Sequence, residues 1–277
     1  MTGATGNVGR NVVSELLADG TAVRAFVRDP DSADLPKSVE TVGGDLSKPS
    51  TVSPFLDGVD AVFLLWPFLD ASDGAELIDV VGEQVHRIVY LSSLGIRDDL
   101  ERQTNPINGF HAEMEHMIER SGLAWTFLRC SMFAKNLLGH LPEIRAEGVL
   151  RGPYGAAVRS PIHERDIAAV AARTLTRDGH AGKRYRLTGP QAMNAFEQVR
   201  VLAEAVGRPL RFEETSRAAA RRDMLSWLPE PGVDEVLDAL AEFVTEPEPV
   251  TSAVWELTGA SARTLHSWAL DHADVLR

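Results

Sequence analysis

Three glycines at three-residue spacing open the chain, in Met1-Thr2-Gly3-Ala4-Thr5-Gly6-Asn7-Val8-Gly9-Arg10. Val12, Val13, Leu16 and Leu17 follow at helical spacing, and Thr21 to Val27 then reads as a strand. A glycine triplet set before a helix and a strand is the pattern of a dinucleotide-binding turn. Gly3 lets the chain turn tightly, and Gly6 lets backbone N–H groups approach a pyrophosphate. Gly9 lets the new helix pack close against a sheet. The helix N-terminus directs its partial positive charge at the phosphates. Gly3, Thr5, Gly6, Asn7 and Val8 are therefore the first candidates for holding a cofactor.

A hydrophobic strand normally leads into such a loop, yet only Met1 and Thr2 precede Gly3. Either the native protein begins several residues upstream, which is the expectation here, or its central strand is short or absent.

Strands and helices alternate after the loop. Strands are expected at 38–42, 59–66, 87–92 and 124–130, with helices at 51–56, 75–84 and 109–121. Regular alternation of this kind gives a parallel sheet covered on both faces. The expected fold class is α/β: a Rossmann-type doubly wound parallel sheet with a truncated first strand and a smaller mixed α/β C-terminal lobe. Residues 1–132 form the nucleotide-binding domain and 133–277 the smaller substrate-binding lobe, with about 158–190 returning to the first domain. In the later part, helices are expected at 164–176, 195–206, 232–243 and 265–273, and strands at 183–188 and 210–214. Glu246-Pro247-Glu248-Pro249 reads as a loop.

Composition narrows the class. No stretch of eighteen apolar residues occurs, and Ala61 to Trp66 fits a buried strand rather than a membrane span. The expectation is a cytoplasmic protein with no membrane partner. A net charge of −12 repels nucleic-acid phosphates, so no direct nucleic-acid partner is expected. The basic cluster Arg217 to Arg222 reads as a solvated helix face. Cys130, the single cysteine, excludes an internal disulfide, and His140, His163 and His180 lack metal-ligand spacing, so no metal is expected.

Five segments in order carry a family resemblance: Thr2 to Gly9, Phe26-Val27-Arg28-Asp29, Gly44-Asp45-Leu46, Ile88 to Ser93, and Arg165-Asp166-Ile167-Ala168. The chain resembles, over nearly its whole length, the NmrA-like branch of the atypical short-chain dehydrogenase/reductases. The resemblance implies an NAD(P)H-dependent oxidoreductase, similar to quinone reductases, to isoflavone-type reductases or to aromatic-polyketide tailoring enzymes. Other members of the branch are redox-sensing regulators that bind cofactor without turnover and act through a protein partner. A homodimer is also compatible with the branch.

Arg28 follows the second strand, where a guanidinium can pair with the 2′-phosphate of adenosine, which favours NADP(H) over NAD(H). Its neighbours Asp29 and Asp31 offer it alternative partners. Asp45 either accepts from the adenine amino group, with Leu46 on the ring, or caps a turn. Leu65, Trp66 and Pro67 end the fourth strand, and Ser92 and Ser93 the fifth, at the carboxyl edge where ligands bind. Trp66 either touches the cofactor or closes the core.

Typical members of the superfamily reduce carbonyls with a Tyr-x-x-x-Lys pair. Leu94, Val158 and Gly189 stand four residues after Tyr90, Tyr154 and Tyr185, so the pair is absent. In family register Ile107 and His111 occupy its positions, and the usual serine falls at Ser93 or Leu94. His111 is the catalytic candidate, as a proton source or a ribose contact; alternatively it pairs with Glu115 one helical turn away. A ketone becomes a strongly basic alkoxide on taking hydride, whereas a quinone becomes a weakly basic hydroquinone anion. The missing acid therefore points to quinones or polycyclic aromatics, reduced directly or in an oxygenase component. Phe110, Met132, Phe133 and Tyr154 are the candidate substrate contacts, with Trp125 and Trp227 as further aromatic candidates.

Overall fold

A computed structural model describes residues 1–230 and 232–277. The chain divides into two compact units: residues 1–101, 107–130 and 164–186, and residues 102–106, 131–163 and 187–277. The chain leaves the first unit briefly at residues 102–106, then runs within it to Cys130, and residues 164–186 rejoin it.

In the first unit, helix α1 (Gly9–Ala18) leads to strands β1 (Arg24–Val27), β2 (Glu40–Gly43) and β3 (Ala61–Leu64). Helix α2 (Gly74–Gly82), strand β4 (Arg87–Ser93), helix α3 (Pro106–Arg120) and strand β5 (Ala124–Cys130) continue the alternation. Past helix α4 (Leu141–Glu147) and strand β6 (Val149–Gly152) of the second unit, helix α5 (Glu164–Thr176) and strand β7 (Lys183–Leu187) follow, β7 at the edge of the sheet. β1 and β2 pair in parallel, as do β3, β4 and β5. Val62, Leu64, Ile88, Tyr90 and Phe127 face α2 and α3, forming a core with Leu77, Ile78, Phe110, Met114 and Ile118. α5 packs against α1 and against β3, β4 and β5. Helices therefore cover the sheet as the alternation requires.

The expected first strand is reduced to one residue. Thr2 forms a parallel bridge with Phe26, and its N–H donates to Phe63 O at 3.0 Å. Its Oγ1 donates to Leu65 O at 3.0 Å and accepts from Leu65 N at 2.8 Å. Met1 adds bonds to β1, its amino group donating to Arg24 O at 2.6 Å and its carbonyl accepting from Phe26 N at 2.9 Å. Beside this seam lies a cavity of about 860 Å³, lined by Met1, Leu16, Phe26, Val62, Leu77 and Val81 among others.

Residues 51–56 form 3-10 turns rather than a helix, at Pro49–Thr51 and Ser53–Phe55. Pro54 has no N–H for an i→i−4 bond, so only the tighter turn persists.

The second unit pairs β6 with strand β8 (Arg211–Glu214) in parallel. Its helices include α6 (Ala195–Val206), α7 (Arg217–Met224), α8 (Gly232–Glu242), α9 (Ala253–Thr258), α10 (Leu265–Asp271) and α11 (Ala273–Leu276). Asn194 and Glu197 close a reciprocal capping box at the start of α6. The expected terminal helix at 265–273 is split at His272, with its last residue in α11.

Candidate functional site

All paired strands whose register is defined run parallel, so the loops after Thr2, β1, β2, β3 and β4 emerge at one carboxyl edge. This edge collects the cofactor candidates. Gly3 has φ +65°, which a glycine adopts without penalty, and Leu65 packs on it, 3.1 Å from where a Cβ would stand. Gly6 is less enclosed: a Cβ there would make one contact, a tight one of 3.3 Å with Gly3 O. Gly9 is different. Its Cβ would lie 1.9 Å from Gly3 O and 2.9 Å from Ala4 Cα, so the close approach it permits is to the loop's own backbone, rather than to a strand. The amides of Thr5, Asn7 and Val8 donate no hydrogen bond among the described residues. A turn of unbonded N–H groups at a helix start is a site for an anion.

Arg28 is exposed after β1 and makes no hydrogen bond or ion pair among the described residues. Asp29 instead accepts from the N–H of Asp31 at 3.1 Å. Asp45 Oδ1 accepts from Ser47 N at 3.0 Å and Ser47 Oγ at 2.9 Å, which is the turn-capping arrangement. Those bonds, with smaller help from Lys48 and Arg28, hold its carboxyl below the usual range. Leu46 is half-buried beside the apolar core, and Pro67 is exposed. Trp66 is buried, with Nε1 donating to Asp70 O at 2.7 Å and its ring edge-on to Phe68.

The end of β4 carries a polar network. Ser92 Oγ donates to Glu115 Oε1 at 2.5 Å, and Arg129 holds both oxygens of that carboxylate, at 3.0 and 2.6 Å. Arg129 also forks onto Asp98 at 2.9 and 2.7 Å. The side chains of Arg129 and Glu115 are 6% and 3% exposed, so each depends on the other for compensation. Ser93 Oγ donates to Asn108 Oδ1 at 2.8 Å; Leu94 is buried. Ser92 is thus committed to Glu115.

His111 does not pair with Glu115. Its Nδ1 lies 2.7 Å from the hydroxyl of Tyr90, and Phe110 packs on it at 4.2 Å between ring centroids. Phe110 is itself buried in the apolar core, packed with Tyr90 and Met114. Trp125 stacks on Phe127 at 4.3 Å beneath the guanidinium of Arg184. Tyr90, Arg129, Glu115 and Asn108 were not singled out as site residues by sequence; each matters through a partner fourteen or more residues away.

The remaining candidates belong to the second unit. Met132 O accepts from Ile162 N at 2.9 Å, and Phe133 forms a parallel bridge with Ile162; both side chains are half-buried. Tyr154 is the one described non-glycine residue with positive φ, +54°. Its hydroxyl accepts from Arg217, which also pairs with Asp234 and Asp238. Trp227 is 51% exposed. His163 is buried and contacts Asp271 at 3.2 Å. Among the described residues no group of His, Cys, Asp or Glu is arranged to hold a metal ion, and no helix is long and apolar enough to cross a membrane.

A glycine turn with free amides at the carboxyl edge of a parallel sheet defines a nucleotide-binding α/β protein. Comparison makes that class specific: a family described as NAD(P)H-binding matches residues 3–178, and the chain belongs to it. It is 36% identical to (4-alkanoyl-5-oxo-2,5-dihydrofuran-3-yl)methyl phosphate reductase of Streptomyces griseus, covering 99% of this chain and 98% of that one. It is 34% identical to the NAD(P)H azoreductase of Xenophilus azovorans, covering 99% and 97%. The NADPH complex of a quinone oxidoreductase from Escherichia coli superposes with a TM-score of 0.81 at 24% identity, covering 98% of each chain. The chain is an NAD(P)H-binding oxidoreductase, related to named reductases over nearly its whole length.

Proposed function

We propose that the protein is an NADPH-dependent reductase of quinones or related polycyclic aromatics. The observation that carries this reading is the replacement of the Tyr-x-x-x-Lys pair by Ile107 and a His111 bound to Tyr90. Such a site suits an acceptor that spreads its new negative charge over a conjugated system. The relatives' names fit this chemistry, since azo compounds, quinones and an oxo-dihydrofuran bearing an alkanoyl group are all conjugated acceptors.

The residues at the sheet edge fit the cofactor. Thr5, Asn7 and Val8 offer amides to a pyrophosphate across the bare Gly6. Arg28, which makes no hydrogen bond or ion pair among the described residues, supports the choice of NADP(H), because a 2′-phosphate would supply a charged partner. When bound, the reduced nicotinamide supplies a hydride. Positioning of the two reactants contributes most where no strong acid is needed. His111 offers a hydrogen bond to the oxygen that gains charge.

Anaerobic mixing with NADPH and a panel of quinones tests this reading. NADPH oxidation with stoichiometric hydroquinone is the expected result. Saturable NADPH binding with no turnover across the panel would replace the reductase with a cofactor-binding sensor.

A further inference from the structure

We infer that Tyr90 is a positioning residue, whose hydroxyl donates to His111 Nδ1 and fixes the imidazole as the Nε2–H tautomer, presenting a directed N–H donor. The role of that donor rests on the reading of His111 as part of the reductase site; the tautomer itself does not.

The direction of the hydrogen bond follows from accounting for one proton. Tyr90 lies in the middle of β4 and is fully buried, edge-on to Phe127. Its hydroxyl has a single hydrogen-bond partner among the described residues, His111 Nδ1 at 2.7 Å. A buried hydroxyl proton requires an acceptor, and Nδ1 is the acceptor within reach. A proton on Nδ1 would leave the tyrosine hydrogen with none. Nδ1 therefore carries the lone pair and Nε2 the hydrogen.

The other end of the ring is open. Nε2 makes no hydrogen bond among the described residues, yet it is not among the enclosed polar atoms that lack partners. It is thus a donor reaching solvent from a half-buried ring. Burial lowers the His111 pKa to about 3, and burial followed by the charge of Glu115 raises the Tyr90 phenol well above its ordinary value. Neither group ionises near neutrality. Glu115, one turn along α3, is the nearby charge, and its carboxylate is occupied by Ser92 of β4 and Arg129 of β5.

A neutral N–H differs from an imidazolium acid in what it favours. The acceptor takes a hydride with its electron pair and is reduced by two electrons. Its oxygen then holds the negative charge, stabilised by Nε2–H, until water supplies the proton. The neutral donor stabilises that anion without having to surrender its own hydrogen, which would require Tyr90 to ionise in its buried position.

Nitrogen-15 NMR of histidine-labelled protein tests the assignment, with His111→Gln identifying the signal among the eight histidines. In the wild type, Nδ1 is expected to be unprotonated and Nε2 protonated, with shifts constant from about pH 5 to 8. In Tyr90→Phe, the His111 signal should move toward mixed tautomers, and kcat should fall by about tenfold with the NADPH KM unchanged. Tyr90→Phe should add nothing to His111→Gln. A protonated Nδ1 in the wild type, or an unchanged His111 signal in a folded Tyr90→Phe, overturns the inference. Full activity of His111→Gln instead overturns the site reading, while the spectrum still decides the tautomer.

Discussion

Gly9 and Gly6 look alike in sequence but should fail in opposite ways when each is replaced by alanine. At Gly9 the added carbon would meet Gly3 O at 1.9 Å, Gly3 C at 2.6 Å and Ala4 Cα at 2.9 Å. All are backbone atoms, so no rotamer change relieves the overlap, and loop or helix must shift by about 1.5 Å to reach ordinary contact distance. Overpacking of this kind costs about 1–3 kcal/mol, occasionally more, and alanine's better helix propensity returns at most about 1 kcal/mol. A net loss of about 2 kcal/mol is expected, lowering Tm by roughly 5 °C in a chain of this size. At Gly6 the single contact is 3.3 Å, so Gly6→Ala should change stability by less than about 0.5 kcal/mol. Its methyl group would stand where the pyrophosphate approaches, and NADPH affinity should fall by about tenfold or more. Thermal unfolding without cofactor and NADPH titration by fluorescence measure the two effects. A Gly9→Ala protein with wild-type Tm, or a Gly6→Ala protein with wild-type affinity, would refute the division of roles.

Arg28→Ala should weaken NADPH binding by about 1.5–3 kcal/mol and leave NADH nearly unaffected, as read by parallel titrations; equal losses would remove Arg28 from the 2′-phosphate. Glu115→Ala should destabilise by about 3–5 kcal/mol in urea unfolding, because it strips Arg129 of its buried partner, and a loss under 1 kcal/mol would show that Asp98 suffices. The depressed pKa of His111 makes a signed prediction. The unfolded chain binds this proton below about pH 6.5 and the folded chain only below about pH 3, so the contribution is full above 6.5 and lost as pH falls toward 3. The difference in stability between wild type and His111→Gln should shrink over that window by at most about 5 kcal/mol, and a constant difference would place the imidazole in a wetter setting.

The glycine loop and the strands 87–93 and 124–130 were legible because period and punctuation are local signals. β6 was not: Val-Leu-Arg-Gly is four residues long, and its partner β8 lies some sixty residues on. The helix expected over 51–56 overlooked what Pro54 does to a turn. At the site, spacing correctly placed His111 and Glu115 on one helical face, and this suggested a pair. The sheet decided otherwise, because Tyr90 rises from β4 against the histidine while Arg129 rises from β5 against the glutamate. Which neighbour a helical residue meets depends on the surface below the helix, and no local spacing encodes that. Arg28 and Asp45 show the converse. The alternatives weighed for each were distinguishable only by which hydrogen bonds the folded backbone offered nearby.

The seam at Thr2 bears on how cofactor and scaffold communicate. Thr2 ties β1 to β3, and the glycine loop grows directly from it. A ligand gripping the loop on one side and Arg28 or Asp45 on the other would act as a rivet across this join, in parallel with the Thr2 bonds. Its binding free energy would then be felt far from the contacts themselves, as slower hydrogen exchange at the amides of Thr2, Phe26 and Leu65. Saturation with dinucleotide would thus serve as a structural fastening for the sheet as well as a source of reducing equivalents.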